Sequence, residues 1–506
     1  MSNPTVLFRS LLVYAFCVPI ALFLGYLLAS PELFLVYRTQ TILVAVMLMI
    51  LVSPLFLKYY HPWLIASWNM STVLFFLPGN PQLWMGLTAI GLTIALLQYI
   101  LSRDNRILSA PTLTKPLIAI TIVTLATAYF RGGIGLRSFG ADVYGGKRYF
   151  MIVLSVLGFF ALASRRIPPH RAGLYAVLFF LGSGTMAIGS LAGRLPSQFN
   201  FLFLIFPVEN LSFLSNITQS VMSRSWGLSL LGLGIFCAML AKYGVKGIVS
   251  IQHPQRFVFF IVFCFLGLMG GFRSILIIFI LTFVLLMYLE GLMQTRLLPA
   301  LLLVVILGGA LTTAFATRLP LSVQRTLAFL PIAIDPIAKR DAQASSEWRI
   351  RMWQNVLPEI PENLLLGKGY LFSSTDEFMF RFKGGEESAK GSELVGDYHN
   401  GPLSVILPFG LPGVFAFLWF MVAATKAVYA NYRYGDPEYE IVNRFIFAYF
   451  VARVIFFFAV FGSLYSDLAL FTGLVGLSVS LNGGVAKPAA EEQPRFAFGR
   501  VGLAAP

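Results

Sequence analysis

Residues 257–290 read FVFFIVFCFLGLMGGFRSILIIFILTFVLLMYLE, an apolar run with a single charge, Arg273, before the closing Glu290. Neither half has a polar face to offer water. The stretch therefore reads as two membrane-crossing helices, 257–271 and 274–290, turned back on each other at Gly270-Gly271. Similar runs recur outward in both directions. Spans are expected near 10–29, 41–57, 62–78, 83–101, 113–130, 149–164, 172–192, 226–243, 257–271, 274–290, 297–316, 401–425, 445–462 and 464–482. Segment 199–207 is too short to span and is expected to lie in the interface or re-enter. The expected fold class is an all-α polytopic membrane protein of about fourteen transmembrane helices, with one large extracytoplasmic loop containing short helices.

Composition supports that class. Hydrophobic residues make up 58% and charged residues 12% of 506 residues, against roughly 45–50% and 25% in soluble domains. Cys17, Cys237 and Cys264 all sit in apolar runs, with no CxxC and no Cys/His cluster. Neither a disulfide framework nor a metal site is expected. Arg9 precedes the first apolar run without a convincing small-x-small cleavage site, so that run is expected to stay as an uncleaved helix. With the N-terminus inside, short basic connections (Arg103/Arg106/Lys115, Arg165/Arg166/Arg171, Lys242/Lys246/Arg256) fall on the cytoplasmic side. The chain then divides into a bundle of about eleven helices at 1–316, an extracytoplasmic loop at 317–400, three helices at 401–482 and a cytoplasmic tail at 483–506. The loop carries ten basic and eleven acidic residues, a soluble mixture and not a polyanion-binding tail; no nucleic-acid partner is expected. No P-loop appears, and no cofactor is expected.

Four cations, Arg131, Arg137, Lys147 and Arg148, crowd one outer connection against the positive-inside rule. Arg148 and Arg224 each begin a span from the outer side, and Arg273 stands at the outer tip of its hairpin. Anchoring or snorkelling explains a lone arginine at such a place. Guanidinium forks also match phosphate oxygens, and paired glycines beside Arg273 would let a phosphate approach the backbone. In the loop, Ser345/Ser346 can cap a helix through WRIRMWQNVL ended by Pro358, with Arg349 and Trp353 on one face. Arg349 and Arg351 could equally pair with Glu347 or Glu359. Of the four histidines, His61, His170 and His253 fall at cytoplasmic loop ends. His399, in Tyr398-His399-Asn400, lies at the outer face where the loop enters the next helix. An imidazole there could take a proton from an attacking hydroxyl, or merely cap the helix.

The ordered set Gly270-Gly271-Phe272-Arg273-Ser274, Arg349-x-x-x-Trp353, Pro361, Gly367-Lys368-Gly369, His399-Asn400, Gly410 and Gly413 resembles the signature region of the O-antigen ligase and O-antigen polymerase family. Phe272 replaces that family's usual small or polar residue. The resemblance covers about 160 residues. It implies a metal- and nucleotide-independent glycosyltransferase of the GT-C type, in a bacterial inner membrane with its site facing the periplasm. The implied donor is a glycan on undecaprenyl pyrophosphate, and the acceptor another lipid-linked or free glycan among membrane lipids. Arg273 and Arg349 would hold the pyrophosphate and His399 would assist the acceptor hydroxyl; Arg351 has no secure counterpart. A transporter or flippase of lipid-linked sugars is the rival class. A peptidoglycan polymerase would want an outer-face carboxylate, with Asp397 the nearest.

Overall fold

The computed structural model describes residues 47, 51, 58–75, 77–101, 110–136, 141, 143–193, 195–207, 224–373 and 396–488. Their regular secondary structure is helical apart from a two-residue ladder and an isolated bridge. The expected count of spans needs correction. Among the described residues seven helices are long and apolar enough to cross a membrane: Pro111–Arg131, Pro169–Ala192, Trp226–Ile248, Leu297–Ala314, Gly401–Tyr434, Pro437–Ala459 and Leu464–Asn482. The two halves of the opening stretch form helices of 16 residues (Pro254–Met269) and 17 residues (Arg273–Leu289). At 1.5 Å per residue such helices reach about 25 Å, short of the roughly 30 Å hydrocarbon core. Gly146–Leu162 is equally short and begins with Lys147 and Arg148. The apolar run at 62–78 does not continue as a helix: residues 58–67 are helical, and the chain then bends into a bridge between Val73 and Gln82. The expected spans 10–29 and 41–57 lie outside the described residues, 47 and 51 aside. Segment 197–207 is a 3-10 turn and one helical turn, Leu202–Ile205.

Leu464–Asn482 is the axis of the bundle, with 78% of its apolar window buried. It packs against Gly146–Leu162 on one side and Gly401–Tyr434 on another. Trp226–Ile248 packs on Pro254–Met269, and Arg273–Leu289 on Glu440–Ala459. Leu297–Ala314 lies at the opposite extreme, with none of its window buried. Arg453, inside Pro437–Ala459, pairs with Asp467 of Leu464–Asn482 at 2.6 Å; the other oxygen of Asp467 accepts from Ser463 N at 2.8 Å. The pair leaves neither charge alone among apolar side chains, where an unpaired one would be costly.

Gly401–Tyr434 is broken at Gly410, which adopts φ 61°. Pro412 has no N–H for the carbonyl four residues back, so acceptors are freed at the break. The loop fills them. Lys368 N donates to Leu407 O (2.7 Å), Gly369 N to Pro408 O (3.0 Å), and Leu411 N donates in return to Leu364 O (2.7 Å). The Gly-Lys-Gly motif is thus a backbone stitch. A second anchor is the antiparallel pair Val143–Tyr144 with Phe372–Ser373, which ties the connection before Lys147 and Arg148 to the same loop.

The loop helix is longer than the serine pair suggested. It runs Pro336–Val356, with Asp335 as its cap accepting from Ile337 N at 2.7 Å. Pro336 suits the first helical position because no N–H is needed there. Ser346 is therefore a mid-helix residue. The helix stops before Pro358, where a 3-10 turn takes over.

Candidate functional site

The turn Gly270-Gly271-Phe272-Arg273 is built by packing. A β-carbon on Gly270 would stand 2.1 Å from Ser229 Oγ, and Ser225 N donates to Gly270 O at 3.2 Å. The glycine thus makes room for helix Trp226–Ile248. Gly271 takes φ 82°, and its carbonyl accepts from Arg325 Nη1. Arg325 is 3% exposed and donates through Nε to Asp341 on the loop helix. The same carboxylate receives Arg224 Nη2 on both oxygens, at 2.9 and 2.7 Å. On the same helix, at the next residue and one turn beyond it, Arg273 Nη2 donates to Ala342 O and Ser346 Oγ, each at 3.1 Å.

Asp341 is the single carboxylate found bonded within this group of three arginines among the described residues. Burial alone would raise its pKa, but Arg325 and Arg224 outweigh burial and hold it below the usual carboxylate range. The cluster keeps excess positive charge, suited to an anion with several oxygens. Arg349 extends it. Burial, then Arg273 and Arg224, pull its pKa below the ordinary arginine range, while Asp397 acts the other way. Its guanidinium lies 5.9 Å from the Phe461 ring centre, and its Nε is buried without a hydrogen-bond partner.

His399 stands at the other end of this row. Its ring lies between Trp348 and Phe461, with centroids 5.2 Å away on each side. Its backbone holds φ 51°, a left-handed conformation rare for a side-chain-bearing residue. The neighbours fix it there. Trp353 Nε1 donates to Tyr398 O at 2.8 Å, Tyr398 is 2% exposed, and Asn400 Oδ1 caps the next helix through Leu403 N at 3.1 Å. His399 Nδ1 is 3.7 Å from Asp397 Oδ1, beyond hydrogen-bond length, and both atoms are buried without hydrogen-bond partners. Burial lowers the His399 pKa, with Asp397 raising and Arg349 lowering it further. The net direction keeps the ring neutral at pH 7, able to accept a proton.

The structure thus brings Arg224, Arg273, Arg349 and His399 into one row, with Trp353, Tyr398 and Asn400 beneath. Other expected residues stand apart. Arg351 is exposed, two positions and roughly 200° around the loop helix from Arg349. Glu359 pairs with Lys368 at 2.8 Å and not with either arginine. Lys147 is exposed. Arg148 lies at the same end of the bundle but is held over Tyr370 (5.5 Å) and Tyr465 (4.9 Å). The remaining histidines are elsewhere. His61 bonds Leu162 O at 2.8 Å, at the far end of the Arg148 helix, and His253 precedes the helix that leads to Arg273. Arg325, Asp341, Trp348 and Phe461 were not foreseen. Once the loop helix starts at Pro336, the spacing of Asp341, Ser345 and Arg349 by fours puts Asp341 on the Arg349 face of that helix.

No group of three or more His, Cys, Asp or Glu gathers among the described residues. The O-antigen ligase family model matches residues 257–418. The matched stretch contains Arg273, Arg325, Asp341, Arg349 and His399; Arg148 and Arg224 precede it. No curated protein matches the chain.

Proposed function

We propose that this chain, which carries an O-antigen ligase domain at 257–418, transfers a glycan from undecaprenyl pyrophosphate to a sugar hydroxyl at the periplasmic face of a bacterial inner membrane. The observation carrying this reading is the row of Arg224, Arg273 and Arg349 ending at a neutral His399. In the proposed reaction the acceptor hydroxyl oxygen attacks the anomeric carbon, and the bond from that carbon to the pyrophosphate oxygen breaks. His399 takes the hydroxyl proton. The arginines stabilise the charge that grows on the leaving diphosphate, the part of the reaction where fixed positive groups act most strongly. The acceptor would be lipid A–core in a ligase or another lipid-linked glycan in a polymerase.

A transporter of lipid-linked sugars would want ionisable groups exposed to a central path. Arg453 and Asp467 instead neutralise each other, which favours the enzyme. The test is covalent transfer in proteoliposomes given an undecaprenyl pyrophosphate-linked oligosaccharide. Arg273→Lys and Arg349→Lys keep the charge but lose the planar fork. Each is expected to lower transfer at least about tenfold with the protein still in the membrane, one lost charge-assisted hydrogen bond. Wild-type turnover in both variants would remove the arginines from the reaction, and translocation without transfer would favour the rival.

A further inference from the structure

The row of polar groups is not uniform along its length. At the Arg273 end Arg224, Arg273 and Arg325 gather around a single carboxylate, Asp341, which two of them already hold. Beyond Arg349 the chemistry changes, and three unpartnered buried atoms belong to side chains of a different kind: Trp348 Nε1, Asp397 Oδ1 and His399 Nδ1. Trp348 lies against the His399 ring, centroids 5.2 Å apart, and Asp397 approaches the same ring at 3.7 Å. An indole N–H can only donate, and a carboxylate oxygen can only accept. A phosphate has oxygens for the indole but nothing to offer the carboxylate, which would repel it. A sugar hydroxyl both donates and accepts, and two hydroxyls on one ring would satisfy both residues with no charge brought in. Leaving such buried groups unmatched is costly, so a ligand that matches them is selected over one that does not.

We infer that Trp348 and Asp397 form the acceptor subsite and hold an uncharged pyranose by its hydroxyls, with the attacking one beside His399. This deepens the proposed glycan transfer and rests on it. Arg349 then marks the boundary: it is adjacent in sequence to Trp348 and within electrostatic reach of Arg273 and Arg224 as well as of Asp397. Donor diphosphate and acceptor sugar would meet across it.

The experiment compares Trp348→Phe and Asp397→Asn with wild type. The donor is an undecaprenyl pyrophosphate-linked oligosaccharide, and the acceptors are lipid A–core and a series of its monodeoxy analogues, or the same set built on a lipid-linked glycan. Each variant is expected to raise the acceptor KM about tenfold, one hydrogen bond's worth, with a much smaller change in donor KM. For one deoxy analogue, Trp348→Phe should cause no further loss, because the bond it removes is already missing. A merely structural role for the indole would not produce that non-additivity. Equal rises in donor and acceptor KM, or strictly additive losses with every analogue, would overturn the subsite while leaving glycan transfer intact. Absence of transfer by wild type to either acceptor class would sink the functional reading and the subsite with it.

Discussion

His399 combines a left-handed backbone, which costs a residue with a β-carbon about 1–2 kcal/mol, with a ring withdrawn from water between Trp348 and Phe461. Strain of this kind persists where neighbours over-determine it, here the Trp353–Tyr398 bond and the Asn400 cap. If the ring is the general base, His399→Ala should lower transfer by roughly 10²–10⁴-fold with expression unchanged. His399→Gln can donate a hydrogen bond but cannot take the proton; retained activity there would demote the ring to positioning. The pH profile gives a separate check. Activity needs the neutral ring, so the rate should rise with pH through a midpoint below the ordinary histidine value of about 6.5, because burial and Arg349 lower the pKa. Asp397 pushes it up, so Asp397→Asn should move the acid limb to still lower pH. A midpoint above the ordinary value, or an upward move in that variant, would contradict the assignment. At this scale the sequence was informative wherever one residue type was scarce: few histidines, and few arginines at hairpin tips. Arg325 was invisible, since it bonds a carbonyl 54 residues away and a carboxylate 16 residues away, and neither partner sits beside it in the chain.

The broken helix Gly401–Tyr434 owes its shape to one position. Gly410→Ala would force a β-carbon into φ 61° and to within 2.4 Å of Leu364 O, against the bond from Leu411 N. The strain and the lost bond together should destabilise the protein by about 2–4 kcal/mol. Thermal melting in detergent would read this as a lower Tm; an unchanged Tm would mean the stitch contributes nothing. The helix was readable as an apolar run, and the glycine motifs were recognisable by type, but their use was not. That Gly367-Lys368-Gly369 closes a gap in a helix some forty residues later depends on φ at Gly410, which composition does not carry. The start of the loop helix was legible in Asp335-Pro336, a cap followed by a proline at the first helical position, and that is a stronger start signal than the serine pair inside the helix.

At the scale of the molecule, the arginine row and His399 share one end of the bundle, while Ile251, 95% exposed, lies at the far end of the helix leading to Arg273. Ala344 is an exposed position on the loop helix, one turn from Asp341. On a background with Cys17, Cys237 and Cys264 replaced by alanine, Ala344→Cys should react with a membrane-impermeant maleimide in intact spheroplasts. Ile251→Cys should react only after permeabilisation. The reverse pattern would put the arginine row in the cytoplasm and remove the periplasmic reaction. Hydropathy reported which residues avoid water, but not where a helix stops, and this is why runs such as 62–78 were counted as crossings. It also could not tell a helix wedged into the bundle from one standing free of it. Leu297–Ala314 is the second kind, with none of its apolar window buried and with Leu297, Leu298 and Leu301 at its start resting on the core, and it delivers the chain into the loop that the broken helix holds at its other end. In a bilayer most of that helix faces acyl chain, while the loop it feeds is held to the protein at its entrance by Arg325 on Gly271 and at its exit by the stitch at Gly410. A change in membrane thickness therefore tilts the helix and leaves the loop where the protein holds it.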